Sequence, residues 1–216
     1  MLQLFLSGGI MMYPLLLSSI IAVAVVIERF YSLRRTKILV PEIVAILDQV
    51  NKPDDFPLVR SVCGKFRGPF PEIVLNCIDN RDLPVEELRV TIEDEGRQQI
   101  RTLSRGLPVL ETVASIAPLM GLLGTVLGMI QVFNVIQNLG VGQAQALSGG
   151  IAEALITTAT GLFIGIPALI AYNYFNSRSE GLTLDLEKHT LDLLNRIIRM
   201  KGASDAGSAE LNLRGQ

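Results

Sequence analysis

Apolar residues along this chain gather into three long runs, separated by segments in which they recur at helical spacing. The first run, Ile10–Ile27, is 18 residues long and stops at Glu28–Arg29. With a rise of about 1.5 Å per residue, an apolar helix needs about 20 residues to cross the hydrocarbon of a bilayer, so this run is just long enough. The second run, Leu107–Gln137, exceeds that length and must tilt or project beyond the membrane. The third is Gly150–Phe175, and only the uncharged Gly/Gln/Ala/Ser stretch Asn138–Gly149 separates it from the second.

Between the first and second runs, prolines punctuate four segments of helical periodicity: Glu42–Val50, Pro57–Phe66, Pro71–Asp79 and Val85–Ser104. The last carries mixed charges (Glu86, Glu87, Arg89, Glu93, Asp94, Glu95, Arg97, Arg101), a solvated face laced with pairs four residues apart. Nothing before Pro108 stops it, so the pattern predicts one long helix entering the second span. After the third run, Leu182, Leu186, Leu193, Ile197 and Met200 form a stripe over Glu180–Met200 that calls for a helical partner. Beyond Lys201 the Gly/Ala/Ser-rich composition predicts a flexible tail.

Composition and charge turn this pattern into a class. Of 216 residues, 49% are hydrophobic and 19% charged, against about 25% charged in an average soluble domain. Residues 1–27 carry no charge, and residues 106–177 carry no Lys or Arg and only two acids, Glu111 and Glu153. A soluble enzyme has no reason to segregate charge in this way. A net charge of −2 also supplies no basic field for nucleic acid. The reading is an all-α membrane protein with three transmembrane helices and long helices extending into the cytoplasm.

Basic residues follow the first span (Arg29, Arg34, Arg35, Lys37), precede the second (Arg97, Arg101, Arg105) and follow the third (Arg178). The positive-inside rule then puts the N-terminus outside. Charges after, rather than before, the first run favour a retained anchor over a cleaved signal peptide. The expected organisation is an outer N-terminus and first span (1–29), a cytoplasmic helical segment (30–105), a second span (106–137), a short periplasmic turn (138–149), a third span (150–176), a cytoplasmic helix (177–200) and the tail (201–216).

Candidate chemistry is sparse. Cys63 and Cys77 lack metal-ligand spacing, His189 is the single histidine, and no nucleophile elbow or phosphate-binding loop is present, so no enzyme, metal or cofactor is expected. The spans say more. Pro118, Gly121, Gly124, Thr125 and Gly128 share one broad face of the second, with Gly124 and Gly128 in a small-xxx-small pattern that lets helix backbones approach closely. In the third, Glu153, Thr157 and Thr160 share a stripe with Pro167, while Ala154, Thr158, Gly161 and Gly165 share an adjacent one. A carboxylate within a span costs about 2.5–3.5 kcal/mol at its centre, so Glu153 should face protein, water or the interface. Helix packing explains the glycines, and a threonine can satisfy itself on the preceding turn. The polar side chains of the third span suggest a wet or protein-lined path. Such a path needs a titratable group, and the spans offer only two acids, each near a membrane end. A partner helix is therefore expected to supply a central carboxylate.

These stretches resemble the ExbB/TolQ/MotA family of ion-driven motor subunits, with ExbB and TolQ the nearest. The resemblance rests on Ala117–Val126 (APLMGLLGTV), Gly150–Leu155 (GIAEAL), Thr158-Ala159, Gly161-Leu162, Ile166-Pro167-Ala168, Tyr172-Asn173 and the Ile27-Glu28-Arg29 end of the first span. It implies a bacterial inner-membrane ring, a pentamer, around the transmembrane helices of a two-copy ExbD/TolR/MotB-type partner whose membrane Asp binds the travelling proton. Thr125 and Thr158 match the family's pore threonines, and Glu153 its acidic residue at the outer end of the third span. Thr160 departs from the apolar residue expected there. The resemblance further implies that the proton-motive force drives a TonB- or TolA-type envelope process. A MotA-like or gliding motor, a non-conducting scaffold and a small-molecule transporter are the alternatives, and the residues do not choose between proton and sodium.

Overall fold

The computed structural model describes residues 8–50, 55–140 and 144–214. All regular structure among them is helical: α1 (Met12–Ser32), α2 (Arg35–Ile38), α3 (Pro41–Gln49), α4 (Phe56–Cys63), α5 (Pro69–Asp79), α6 (Val85–Ser104), α7 (Leu107–Leu139) and α8 (Ala144–Arg214). Three helical stretches are long and apolar enough to cross a membrane, within Met12–Ser32, Val85–Asn138 and Leu147–Gly202. Helices α3, α4 and α5 each hold a proline at their first or second position, where its missing N–H has no helical acceptor to lose.

Three expectations are corrected. The long helix predicted to enter the second span is broken after Ser104: Gly106 adopts a left-handed conformation (φ +82°) and α7 restarts at Leu107, with Pro108 in its first turn. A glycine takes that conformation without the steric cost any side chain would bring. The turn expected over 138–149 is shorter, since α7 runs to Leu139 and α8 begins at Ala144; its residues 141–143 lie outside the described residues, as do 1–7 and 215–216. The flexible tail expected after Lys201 has a helical backbone to Arg214, helped by Ala, Glu, Leu and Arg, which favour helix. The short helix Arg35–Ile38 was not expected.

The chain divides into two compact units. One comprises residues up to Tyr31 together with Gly106–Asn176, and so contains α1, α7 and the first half of α8. Its seam is made by small residues, with α7 and α8 antiparallel: Ala117 lies against Gly161, Gly121 against Thr158 and Gly161, Gly128 against Ala154 and Gly150. The outer surfaces stay apolar, with Leu119, Leu122, Val126 and Phe133 of α7 and Leu155, Phe163 and Ile170 of α8 all exposed. In water such surfaces would be unfavourable; in lipid they are at home. Arg29 at the end of α1 is buried, and Glu28 receives its guanidinium in two hydrogen bonds of 2.5 and 2.6 Å. A bidentate carboxylate partner is what makes burial of such a charge tolerable.

The second unit comprises Ser32–Arg105 and the chain from Ser177. Ile43, Phe70, Ile73, Ile78, Leu88 and Leu186 are its largest fully buried side chains. The C-terminal stripe finds its partner here: Leu182, Leu186, Leu193 and Ile197 are buried, as is Leu194. Cations on α8 donate to backbone carbonyls elsewhere in the unit: Arg178 to Leu33 just after α1 (3.2 Å), Arg196 to Leu47 in the last turn of α3 (2.6 Å) and Lys201 to Leu83 between α5 and α6. Gln99 is buried on α6 and its side-chain amide donates to both Glu72 (2.6 Å) and Glu95 (2.7 Å).

Candidate functional site

The polar residues of α7 and α8 lie in a helical pair whose approach is set by glycine. A Cβ at Gly161 would come within 2.5 Å of the Ala117 carbonyl oxygen and 2.9 Å of the Gly121 Cα. One at Gly165 would stand 2.6 Å from the Pro118 ring, and one at Gly128 2.9 Å from the Ala154 Cβ. A Cβ at Gly124 would overlap the Thr157 side chain. Pro118, Gly121, Gly124, Gly128, Gly161 and Gly165 therefore sit on the α7–α8 contact, whereas Pro167 is exposed on α8.

Close approach brings Thr158 of α8 to the backbone of α7, where its hydroxyl donates to the Gly121 carbonyl at 2.9 Å. Two other threonines find their acceptors on the preceding turn. Thr125 donates to Leu122 (2.5 Å) and Thr160 to Ile156 (2.8 Å), each within its own helix. Thr157 is fully buried, and its hydroxyl lies 2.6 Å from the Glu153 carbonyl oxygen and 3.1 Å from that of Gly8. One hydroxyl proton serves these two acceptors, so the bond is shared or alternates between them.

The expected site residues are thus distributed over three places. Thr158 lies in the α7–α8 seam. Thr157 and Glu153 lie beside the Gly8–Gly9 segment that precedes α1, with the Glu153 carboxyl group against Gly9. Thr125 lines a shallow, open cavity of about 340 Å³ on α7 with Val126, Met129, Ile130 and Phe133. The stripe of Glu153, Thr157 and Thr160 read from periodicity is only partly a unit: Glu153 and Thr157 share surroundings, and Thr160 satisfies itself on the preceding turn. Glu111, the other acid of the apolar region, is exposed on α7. No cluster of side chains suited to a metal ion occurs among the described residues.

Sequence reasoning missed Gly8 and Gly9. The signal available was a Gly-Gly pair directly before the first apolar run, but nothing in the sequence tied that pair to residues about 145 positions away.

Comparison with known proteins bears on the same stretch. The MotA/TolQ/ExbB proton channel family matches residues 67–188, which is more than half of the chain and contains every polar residue of the α7–α8 pair described above. The chain is 35% identical over 180 residues to the putative biopolymer transport protein ExbB-like 1 of Synechocystis sp., covering 80% of this chain and 69% of that protein. It is 38% identical over 120 residues to the biopolymer transport protein ExbB of Neisseria gonorrhoeae, covering 55% of this chain and 54% of that one. Over 95 residues it is 45% identical to the Tol-Pal system protein TolQ of Pseudomonas aeruginosa, covering 44% of this chain and 39% of that protein. The chain therefore matches about half the length, or less, of the latter two relatives.

Proposed function

Because the chain belongs to the MotA/TolQ/ExbB proton channel family, we propose that it is the channel subunit of a proton-driven motor in a bacterial inner membrane. In this reading several copies, five by family resemblance, surround the transmembrane helices of a single-span partner. The partner's membrane Asp carries the proton. The N-terminus lies outside, residues 30–105 and 177–200 are cytoplasmic, and the motor energises a TonB- or TolA-type process of the cell envelope.

One observation carries this reading: the two motif stretches that define the resemblance meet, GLLGT on α7 and GIAEAL–TT on α8, with Thr158 donating to Gly121 between them. Thr125, Thr158 and Glu153 are the residues assigned to the path, with Thr157 and Thr160 flanking it. Threonine hydroxyls donate and accept, so they can pass hydrogen bonds along a path, but they do not hold a proton at physiological pH. Glu111 and Glu153 are the only titratable acids between residues 106 and 177. The storage step is therefore assigned to the partner's carboxylate. A non-conducting scaffold has the glycine seam in its favour, since that seam accounts for the small residues by packing α7 on α8 without conduction.

Purification from the native membrane tests the complex. The expected result is one assembly whose mass corresponds to five copies of this chain and two of a single-span protein bearing a membrane Asp. A fully functional chain that purifies with no such protein removes the proposed mechanism. Glu153→Gln and Thr125→Val then separate the two readings, since a scaffold leaves both silent.

A further inference from the structure

The segment that precedes α1 contacts α8 at the one acid of that helix's apolar half. Gly9 has φ +67°, a left-handed conformation, and its carbonyl accepts the Met12 amide at 3.2 Å as α1 begins. A Cβ at Gly9 would overlap the Glu153 carboxyl group. One residue earlier, the Gly8 carbonyl lies 3.1 Å from the Thr157 hydroxyl, whose other acceptor is the Glu153 carbonyl. Two consecutive residues thus engage both members of the Glu153–Thr157 turn, one through a backbone acceptor and one by leaving the space the carboxyl group occupies. Gly9 meets two requirements that only glycine satisfies together: a positive φ and no side chain.

We propose that the Gly8–Gly9 turn is a clamp that positions Glu153 and Thr157. It fixes the rotamer of the carboxyl group and covers that side of it, so that the first span holds the acid of the third in one orientation. Gly9 is on this account a positioning residue, acting through Glu153. The proposal rests on the reading of Glu153 as part of an ion path.

The geometry supplies its own test, because the space a Cβ needs at position 9 is taken by the end of the Glu153 side chain. Shortening that side chain by one methylene in Glu153→Asp returns the space. The full-length chain is examined as wild type, Gly9→Ala, Glu153→Asp and the double variant, with Gly149→Ala, which meets nothing within 4 Å, as a control for the manipulation. Two readouts are taken: thermal unfolding of the purified protein, and ion-driven function in cells lacking their own copy, normalised to the amount in the membrane. Gly9→Ala is expected to lower function about tenfold, the coupling that residues in contact commonly show, and to lower Tm; added to Glu153→Asp it is expected to cost clearly less than in the wild type, the remainder being the strain of an alanine at positive φ. If Gly9→Ala fails to accumulate, accumulation restored by Glu153→Asp supports the clamp. A cost of Gly9→Ala in Tm that is the same in the wild type and in Glu153→Asp overturns it, as does wild-type behaviour of Gly9→Ala. If Tm shows the coupling but Glu153→Gln is functionally silent, the ion-path reading fails and the contact stands as packing alone. If Glu153→Gln abolishes function and no coupling is seen, the clamp fails and the ion path stands.

Discussion

Thr158 on α8 donates its hydroxyl to the carbonyl oxygen of Gly121 on α7 at 2.9 Å, while Thr112, Thr125 and Thr160 return theirs to their own helices. A hydrogen bond between helices in a membrane contributes on average only about 0.6 kcal/mol, because the separated helices also find partners. Thr158→Val should therefore leave the amount of protein in the membrane near wild type, and Thr158→Ser, which keeps the hydroxyl, should be indistinguishable from wild type. Immunoblots of isolated membranes and unfolding in detergent measure both. A large loss of Thr158→Val protein would show that this bond carries more of the helix pair than assigned here.

Glycine substitutions divide by location. At Gly161 an added Cβ meets the Ala117 carbonyl at 2.5 Å and the Gly121 Cα at 2.9 Å, and backbone atoms cannot swing aside. Gly161→Ala is expected to cost about 1–3 kcal/mol by overpacking the α7–α8 pair. Gly96 on α6 and Gly181 on α8 meet nothing within 4 Å. Alanine at either should stabilise its helix by up to about 1 kcal/mol. Thermal unfolding of the three variants decides the matter, and a neutral Gly161→Ala would contradict the seam.

Cys63 and Cys77 are both buried, and burial pushes their thiols up from 9.0 to about 11 and about 12. The reactive species is the thiolate, so both should resist alkylation at pH 8 in the native protein and react only on unfolding, Cys77 the more resistant. The pH dependence has a definite sign. Above pH 9 the unfolded chain releases these protons while the folded one retains them, so stability from these groups falls as pH rises from about 9 towards 12 and is fully present below 9. Rapid labelling of native Cys77 would contradict its burial.

Thr190 on α8 has a buried hydroxyl without a hydrogen-bond partner, beside a cavity of about 320 Å³ that Ile73, Ile92, Leu186 and Leu194 help line. An unsatisfied buried polar group costs about 1–3 kcal/mol. Thr190→Val, close in shape, should raise the unfolding temperature. A fall would mean that the hydroxyl has a partner in solution, such as a water within the cavity.

How far the sequence revealed this molecule depended on whether a feature was local. Charge-free runs located the three apolar helices, because the cost of burying charge in lipid acts on every residue of a span. The start of α6 at Val85 is legible, since Pro84 ends the preceding segment and the charge pattern after it repeats at helical spacing. The break at Gly106 was missed: a single glycine carries no sign in sequence that its φ is positive. Residues assigned to the ion path came from motif resemblance, and periodicity alone grouped Thr160 with Glu153, although its hydroxyl is satisfied by Ile156. The pairing of Gly8 with Thr157 depends on two segments meeting in space, which no local pattern encodes.

The central claim proposed here is that the polar residues of α7 and α8 line the path by which protons reach a partner's carboxylate and so drive work in the envelope. Its most direct test is the ion-driven function of cells whose only copy is Thr158→Val, measured at wild-type membrane abundance. Loss of that function with assembly intact is the predicted result, and full function would contradict the account.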